Sequence, residues 1–315
     1  NGPAPQASGV RSQFSCQPSE GRRVPRGESG SNTLLNGRLR FIADPDMPST
    51  NWAGVTFSGA SRFNDNSGVV IGNRVITAFG GSNPFVSVGA LPTVAVEAGG
   101  IWNVSDGNAA RAPQIRSLSG AGLVVNFYTN AVTNTVGTVV IDGDTNVIST
   151  EFTGVIQDRD TGILPLATNG IVALTKRGAS STQILSGTNT YTGKTSIEAG
   201  ILHFKKRFSL NNADLASLTT NRIQVNSGAT LELSVGGTDE FTADDIATIL
   251  GLGANATGIR GGARIGLNTD NASGGEFIYS YVFSNAAYTG GTSAVTVVKY
   301  GTNVLHLSGS NTFSG

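Results

Sequence analysis

The sequence predicts an all-β chain wound as a β-solenoid, with a short helical insertion. Three observations carry that prediction. Gly, Asn, Ser and Thr make up 133 of the 315 residues, so corner residues abound while good helix formers are scarce. Short runs rich in Val, Ile, Leu and Thr recur roughly every 8–15 residues, the rhythm of an all-β protein. One sequence unit also returns further along the chain, and a unit too short to bury its own apolar face must stack on neighbours.

Residues 1–45 read as an irregular basic arm. The first 40 residues hold six Arg, including Arg11, Arg22, Arg23 and Arg26, against only Glu20 and Glu28, together with four Pro. The whole chain is neutral, so a formal +4 here leaves −4 for the remainder. An arm of this charge suits docking on the acidic part of a neighbouring subunit.

Residues 46–205 read as solenoid, with strands expected around 69–71, 74–78, 122–128, 137–141, 147–156 and 171–175. Residues 206–275 read as an insertion region of strands and short helix. Within it, residues 241–250 carry the strong helix signal. Thr242 is a candidate N-cap, Asp244 and Asp245 suit the positive helix start, and Gly251 can end it. Ile246, Ile249 and Leu250 fall on one face. A second short helical turn is expected over 210–218. Residues 276–315 read as the solenoid end, closing on an incomplete repeat.

The repeat is explicit. Leu174-Thr-Lys-Arg-Gly178, then Ile184-Leu-Ser-Gly-Thr-Asn-Thr-Tyr-Thr-Gly193, returns as Val298-Lys-Tyr-Gly301, then Leu305-His-Leu-Ser-Gly-Ser-Asn-Thr-Phe-Ser-Gly315. Lys176 aligns with Lys299 and Tyr191 with Phe313. The corner residues are therefore Asn189, Tyr191 and Gly193 in the first copy, and Asn311, Phe313 and Gly315 in the second.

These residues resemble the autotransporter-associated β-strand repeat, also called the passenger-associated transport repeat. The first copy continues into Thr195-Ser-Ile197-Glu-Ala-Gly200-Ile-Leu202, which is similar to the family's closing strand; the second copy lacks this half. The first copy departs from the family at Ser180-Ser-Thr-Gln183, where Gly-Thr-Leu is usual. The resemblance extends over about residues 147–315, thins over 46–146 and is absent from 1–40. It implies a right-handed parallel β-helix or related solenoid, exported to the bacterial cell surface as stalk, adhesin or fibre. Fold analogy alone does not give function.

Chemistry is sparse in this sequence. A neutral chain lacks the basic surface a nucleic-acid binder needs, and its apolar runs are too short to span a membrane as a helix. Cys16 is the sole cysteine, so neither an intrachain disulfide nor a cysteine zinc site can form. An almost Cys-free chain fits an exported protein. Asn1, rather than Met, fits a processed leader or a fragment. His203 and His306 alternate with apolar neighbours and read as solvent-facing or ladder positions rather than catalytic bases.

Asp142, Asp144 and Asn146 have oxygens spaced to wrap Ca²⁺, as do Asp158 and Asp160. Neither cluster has the downstream bidentate Glu, and turn chemistry is the first reading of both. No other cofactor is expected. Carboxylates suited to a β-helix polysaccharide lyase or hydrolase reduce to the same four Asp, with Arg260 and Arg264 read as loop charges.

The expectation is a non-enzymatic extracellular structural protein. It self-associates as a homo-oligomer or filament, with its interrupted end completed either by the missing half of a longer chain or by strand complementation from the next subunit. The alternative is a carbohydrate-binding adhesin that stacks surface polysaccharide on Trp52, Trp102, Tyr128, Tyr279 and Tyr281.

Overall fold

A computed structural model of the chain describes residues 34–35, 38–43, 53–57, 62–63, 67–79, 91–105, 111–127, 135–143, 148–159, 170–254, 257–283 and 295–312. Every strand pairing among them is parallel. Parallel neighbours cannot be joined by tight hairpins, so the chain must travel around before returning beside itself. The result is a parallel β-solenoid.

One ten-stranded sheet runs the length of the molecule. Its strands are Arg38–Phe41, Gly68–Ile71, Thr93–Val96, Ser117–Gly120, Ile148–Phe152, Ser181–Leu185, Ile201–Phe204, Thr230–Ser234, Arg264–Asn268 and Thr296–Tyr300. A second, five-stranded sheet joins Ala53–Phe57, Val75–Phe79, Ile101–Asn103, Leu123–Val125 and Val155–Ile156. A third joins Gln114–Ile115, Thr135–Asp142, Gly170–Arg177, Thr195–Ile197 and Ile223–Val225. Glu276–Tyr279 pairs with Val304–Leu307 at the far end. The 206–275 stretch thus supplies two strands of the long sheet as well as the helix.

Strand periodicity explains how the core is filled. Alternate residues of each strand face inward, and the register places them above one another. One inward column runs Phe41–Ile71–Val96–Gly120–Phe152–Leu185–Phe204–Leu233–Leu267–Lys299. The side chains from Ile71 to Leu267, Gly120 aside, are buried, and each apolar one contributes about 1.5–3 kcal/mol by leaving water. The same alternation corrects the arm. Leu39 and Phe41 turn inward between Arg38 and Arg40, so Arg38–Phe41 is a strand of the long sheet inside the segment expected to be irregular. Arg11, Arg22, Arg23 and Arg26 lie outside the described residues.

The helix forms as its sequence requires. It spans Ala243–Leu250, and Thr242 and Asp245 cap each other's backbone N–H groups reciprocally. Ile246, Ile249 and Leu250 are buried against the solenoid. The Arg207 guanidinium grips the Asp245 carboxylate through two hydrogen bonds of 2.6 and 2.8 Å, fixing the helix to the preceding coil. The turn expected over 210–218 is a set of three-residue 3₁₀ turns, Arg207–Ser209, Asn211–Ala213 and Leu215–Ser217. No helix among the described residues is long and apolar enough to cross a membrane.

A second inward column contains one polar intrusion. Leu39, Val69, Val94 and Leu118 are followed by Thr150 and Gln183, after which Leu202, Leu231, Ile265 and Val297 continue it. Here Ser117–Gly120 and Ile148–Phe152 are tied in register only at Gly120 and Phe152. The buried Gln183 amide compensates. Its Oε1 accepts from Leu118 N–H at 3.1 Å, and its Nε2 donates to the Leu118 carbonyl at 2.9 Å and the Thr150 carbonyl at 3.2 Å. The residue that departs from the family pattern therefore stands in for missing backbone partners. Gln183→Leu restores the apolar pattern but strands the Leu118 groups, and it is expected to lower stability by about 1–3 kcal/mol. Urea denaturation checks this; a variant as stable as the parent would remove the cross-coil role.

Candidate functional site

The residues singled out by the repeat form a corner, and the corner is built from backbone satisfaction. In the first copy Gly170–Arg177 ends at Gly178, whose φ of +79° lets the chain turn into Ser181–Leu185. Lys176 lies in the inward column Ile141–Lys176–Ile197–Val225 and is fully buried. Its ammonium donates to the Gly178 carbonyl at 2.9 Å, to Ser181 Oγ at 2.8 Å, to the Arg177 carbonyl and, at 3.5 Å, to the Ala199 carbonyl of the next coil. A buried charge demands such partners. The lysine therefore closes the turn from inside.

Asn189 does the equivalent work where the chain next bends. Its Oδ1 accepts from Ile156 N–H in the coil below at 2.9 Å, and its Nδ2 donates to the Ser209 carbonyl in the coil above at 2.8 Å. The side-chain amide thus extends the ladder through a bend that backbone alone would break. Tyr191 packs its ring into the core, with its hydroxyl 2.6 Å from Thr195 Oγ1. Burial pushes that phenol up to about 12. Gly193 lies against the preceding coil, where a Cβ would fall 2.2 Å from the Val172 carbonyl oxygen.

The second copy reproduces this geometry. Gly301 has the same φ of +79°, and Lys299 Nζ donates to its carbonyl at 2.6 Å. Asn311 Oδ1 accepts from Phe283 N–H at 3.0 Å, as Asn189 does from Ile156. The Ser308 and Thr312 amides donate to the carbonyls of Tyr279 and Phe283, matching Ser186 to Phe152 and Thr190 to Ile156. Two differences stand out. The first copy turns from the third sheet into the long sheet, whereas the second turns from the long sheet into the two-stranded one. Lys299 is exposed where Lys176 is buried, and Asn311 Nδ2 turns back to the Leu307 carbonyl of its own strand at 3.4 Å. Phe313 and Gly315 lie outside the described residues.

The remaining predicted residues fare variously. Asp142 ends the strand Thr135–Asp142 beside Arg177; Asp144, Asn146 and Asp160 lie outside the described residues. Asp158 is a coil-to-coil staple. Its Oδ1 accepts from the Val172 and Thr192 N–H groups at 2.9 and 3.0 Å, and its Oδ2 from the Thr192 hydroxyl at 2.6 Å. Among the described residues no group of three or more His, Cys, Asp or Glu is placed to hold a metal ion.

The aromatic platform needs correction. Trp102 is 0% and Tyr279 1% exposed, each taken into the core, the former edge-on to Phe79 and the latter against Phe283. Neither ring can stack on a sugar. Tyr281 is 44% exposed, with its hydroxyl bonded to Asp244; Trp52 and Tyr128 lie outside the described residues.

A polar cluster that sequence reading missed lies on the outer face of the long sheet. His203 stands beside Glu232 in register, with Nδ1 3.4 Å from Glu232 Oε1 and Nε2 2.8 Å from Ser234 Oγ. Asn268 Nδ2 donates to Glu232 Oε1 at 2.9 Å. Serine, imidazole and carboxylate are in the order a hydrolytic relay uses. Ser234, however, is only 3% exposed, so its hydroxyl meets protein rather than substrate in this arrangement. The cluster is a buried polar ladder. Burial, reinforced by Lys205, lowers His203 to about 4 despite the opposing pull of Glu151 and Asp270, and burial raises Glu232. The signal available in the sequence was weak, since 29 residues separate His203 from Glu232.

Two segments of the chain, residues 174–203 and 297–315, match the passenger-associated-transport-repeat family. They coincide with the two corners built above. No curated protein and no solved structure matches the chain.

The His203 ladder makes stability depend on acid. The unfolded imidazole takes its proton near 6.5 and the folded one only near 4, so its contribution is complete above 6.5 and is lost as pH falls through that window. The loss amounts to about 3 kcal/mol. Glu232, raised by burial, titrates in the opposite sense. The effect of His203 is therefore read as the difference between the parent and His203→Gln in urea denaturation at pH 7 and pH 4. The parent is expected to lose more stability than the variant; parallel pH profiles would rule the ladder out as the cause.

Proposed function

We propose that this chain is a non-enzymatic structural solenoid of a bacterial surface protein, serving as stalk or fibre and associating with further copies of itself. The observation that supports this most directly is the duplicated corner. Its named residues are spent on coil-to-coil hydrogen bonding, and the same lysine, glycine and asparagine contacts recur at two places in the stack. The likeness of both corners to a passenger-associated repeat supports an exported, surface-exposed setting. A ten-stranded sheet with every strand parallel supports a rod, since its strands stack one above another at about 4.8 Å along a single axis.

The parallel stacking supports propagation. Among the described residues the long sheet is bounded by Arg38–Phe41 and Thr296–Tyr300, and strand edges that pair head-to-tail generate open assemblies rather than closed rings. No cofactor enters this reading, and calcium would matter only through Asp142 and its neighbours.

Electron microscopy of the purified chain, with sedimentation velocity across a concentration series, tests the reading. Rods or fibres whose length grows with concentration are expected; a strictly monomeric species would overturn self-association. Adding EDTA is expected to leave both the melting temperature and the assembly unchanged, and a drop in either would restore calcium. A fluorophosphonate probe is expected not to label Ser234, and labelling would overturn the non-enzymatic assignment.

A further inference from the structure

Among the described residues two buried side-chain polar atoms have no hydrogen-bond partner, the Thr77 hydroxyl oxygen and the Trp102 indole nitrogen. They are not scattered. Thr77 and Trp102 are register partners on the adjacent parallel strands Val75–Phe79 and Ile101–Asn103, and both are fully buried. Buried polar side chains elsewhere, such as Lys176, Gln183, Asn189 and His203, find partners. The two exceptions meet at one place in the stack.

That place faces the interior of the coil. Val75, Thr77 and Phe79 are buried and alternate with the half-buried Ile76 and Ala78. Trp102 lies edge-on to Phe79 and continues in register to Val124 and Ile156. Val75, Phe79, Trp102, Val124 and Ile156 belong to the main core, whereas Ile76, Ile101 and Leu123, on the opposite face of the same strands, form a separate apolar cluster. The orphaned pair is therefore walled by apolar side chains and cannot reach bulk solvent.

We propose that the Thr77 hydroxyl and the Trp102 indole N–H are the two fixed ends of an internal water site, whose water joins Val75–Phe79 to Ile101–Asn103. The indole N–H only donates, so its partner must accept, while the hydroxyl both donates and accepts. Water meets both demands at once. The two atoms do not bond each other, and strands about 4.8 Å apart leave a gap that a single water spans. Its remaining proton goes to a strand carbonyl, whose second lone pair the ladder leaves available. Buried waters of this kind make about three hydrogen bonds. Val75, Phe79 and Val124 offer no polar group to a larger solute and no countercharge to an ion, so water is the guest that fits. The contact differs in kind from the corners. Asn189 reaches both neighbouring coils with its own amide, whereas here trapped solvent completes the reach.

A high-resolution crystal structure of the full chain reads the site directly. Density within hydrogen-bond distance of both Thr77 Oγ1 and Trp102 Nε1 is expected; no density there, or a direct bond between the two atoms, would overturn the proposal. Urea denaturation adds an independent sign. Thr77→Val keeps the side-chain shape but removes the hydroxyl, leaving the indole N–H alone. The folding equilibrium constant is expected to fall about tenfold. A hydroxyl that is merely unpaired predicts the reverse, and a rise would sink the water bridge. Trp102→Phe removes the indole donor together with some ring volume. In that background Thr77→Val is expected to leave stability unchanged or higher, because replacing both polar ends strands neither. Equal losses in the two backgrounds would also overturn the bridge.

Discussion

Backbone satisfaction at the corners is the constraint from which the rest of the structure follows. A parallel sheet supplies partners for N–H and C=O groups only along its straight segments, and a solenoid must turn between them several times per coil. Each bend exposes groups that burial makes expensive. This chain answers with side chains that imitate backbone. Asn189 and Asn311 accept from the coil beneath, and Asp158 gathers two amides and a hydroxyl; within the long sheet, where two strands pair only at one end, Gln183 does the same for both polar groups of Leu118. The abundance of Asn, Thr and Gly is the compositional trace of this requirement.

The buried titratable groups obey the same logic. Lys176 sits in an otherwise apolar column because the turn beside it offers two carbonyls and a hydroxyl and the next coil a third carbonyl. His203 and Glu232 share the outer face of the long sheet, where Ser234 and Asn268 occupy their polar atoms. In neither place does a reactive group face solvent with room for a substrate. Polar side chains that a functional search would single out serve instead as interior fastenings.

Much of this was legible from the residues. Period-two alternation located most strands, and Thr242, Asp245 and the apolar triplet Ile246, Ile249 and Leu250 specified the helix with its cap and buried face. The duplicated corner picks out Asn189 and Tyr191 from the residues alone. What escaped depended on partners distant in sequence. The repeat marks Lys176 only by its alignment with Lys299, and its burial depends in part on Ala199, 23 residues on; Gln183 is a departure from the apolar strand pattern until Leu118, 65 residues back, is brought beside it. Trp102 reads as an exposed ring, yet its strand turns it inward against Phe79. Alternation gives two faces, and only the winding of the coil decides which face is core.

The two copies of the repeat sit on different faces of the solenoid while keeping the lysine-to-glycine contact and the asparagine oxygen's contact with the coil beneath. The unit therefore encodes a joint rather than a rung. A rung would have to recur at a fixed number of residues to stay in phase with its sheet, and any insertion would throw later copies out of step. A joint needs only a supporting strand beneath it and can be installed at whichever bend the chain reaches. Stretches between joints are then free to lengthen, shorten or take up a helix such as Ala243–Leu250. A solenoid built this way grows by adding irregular coils without re-solving the geometry of each turn.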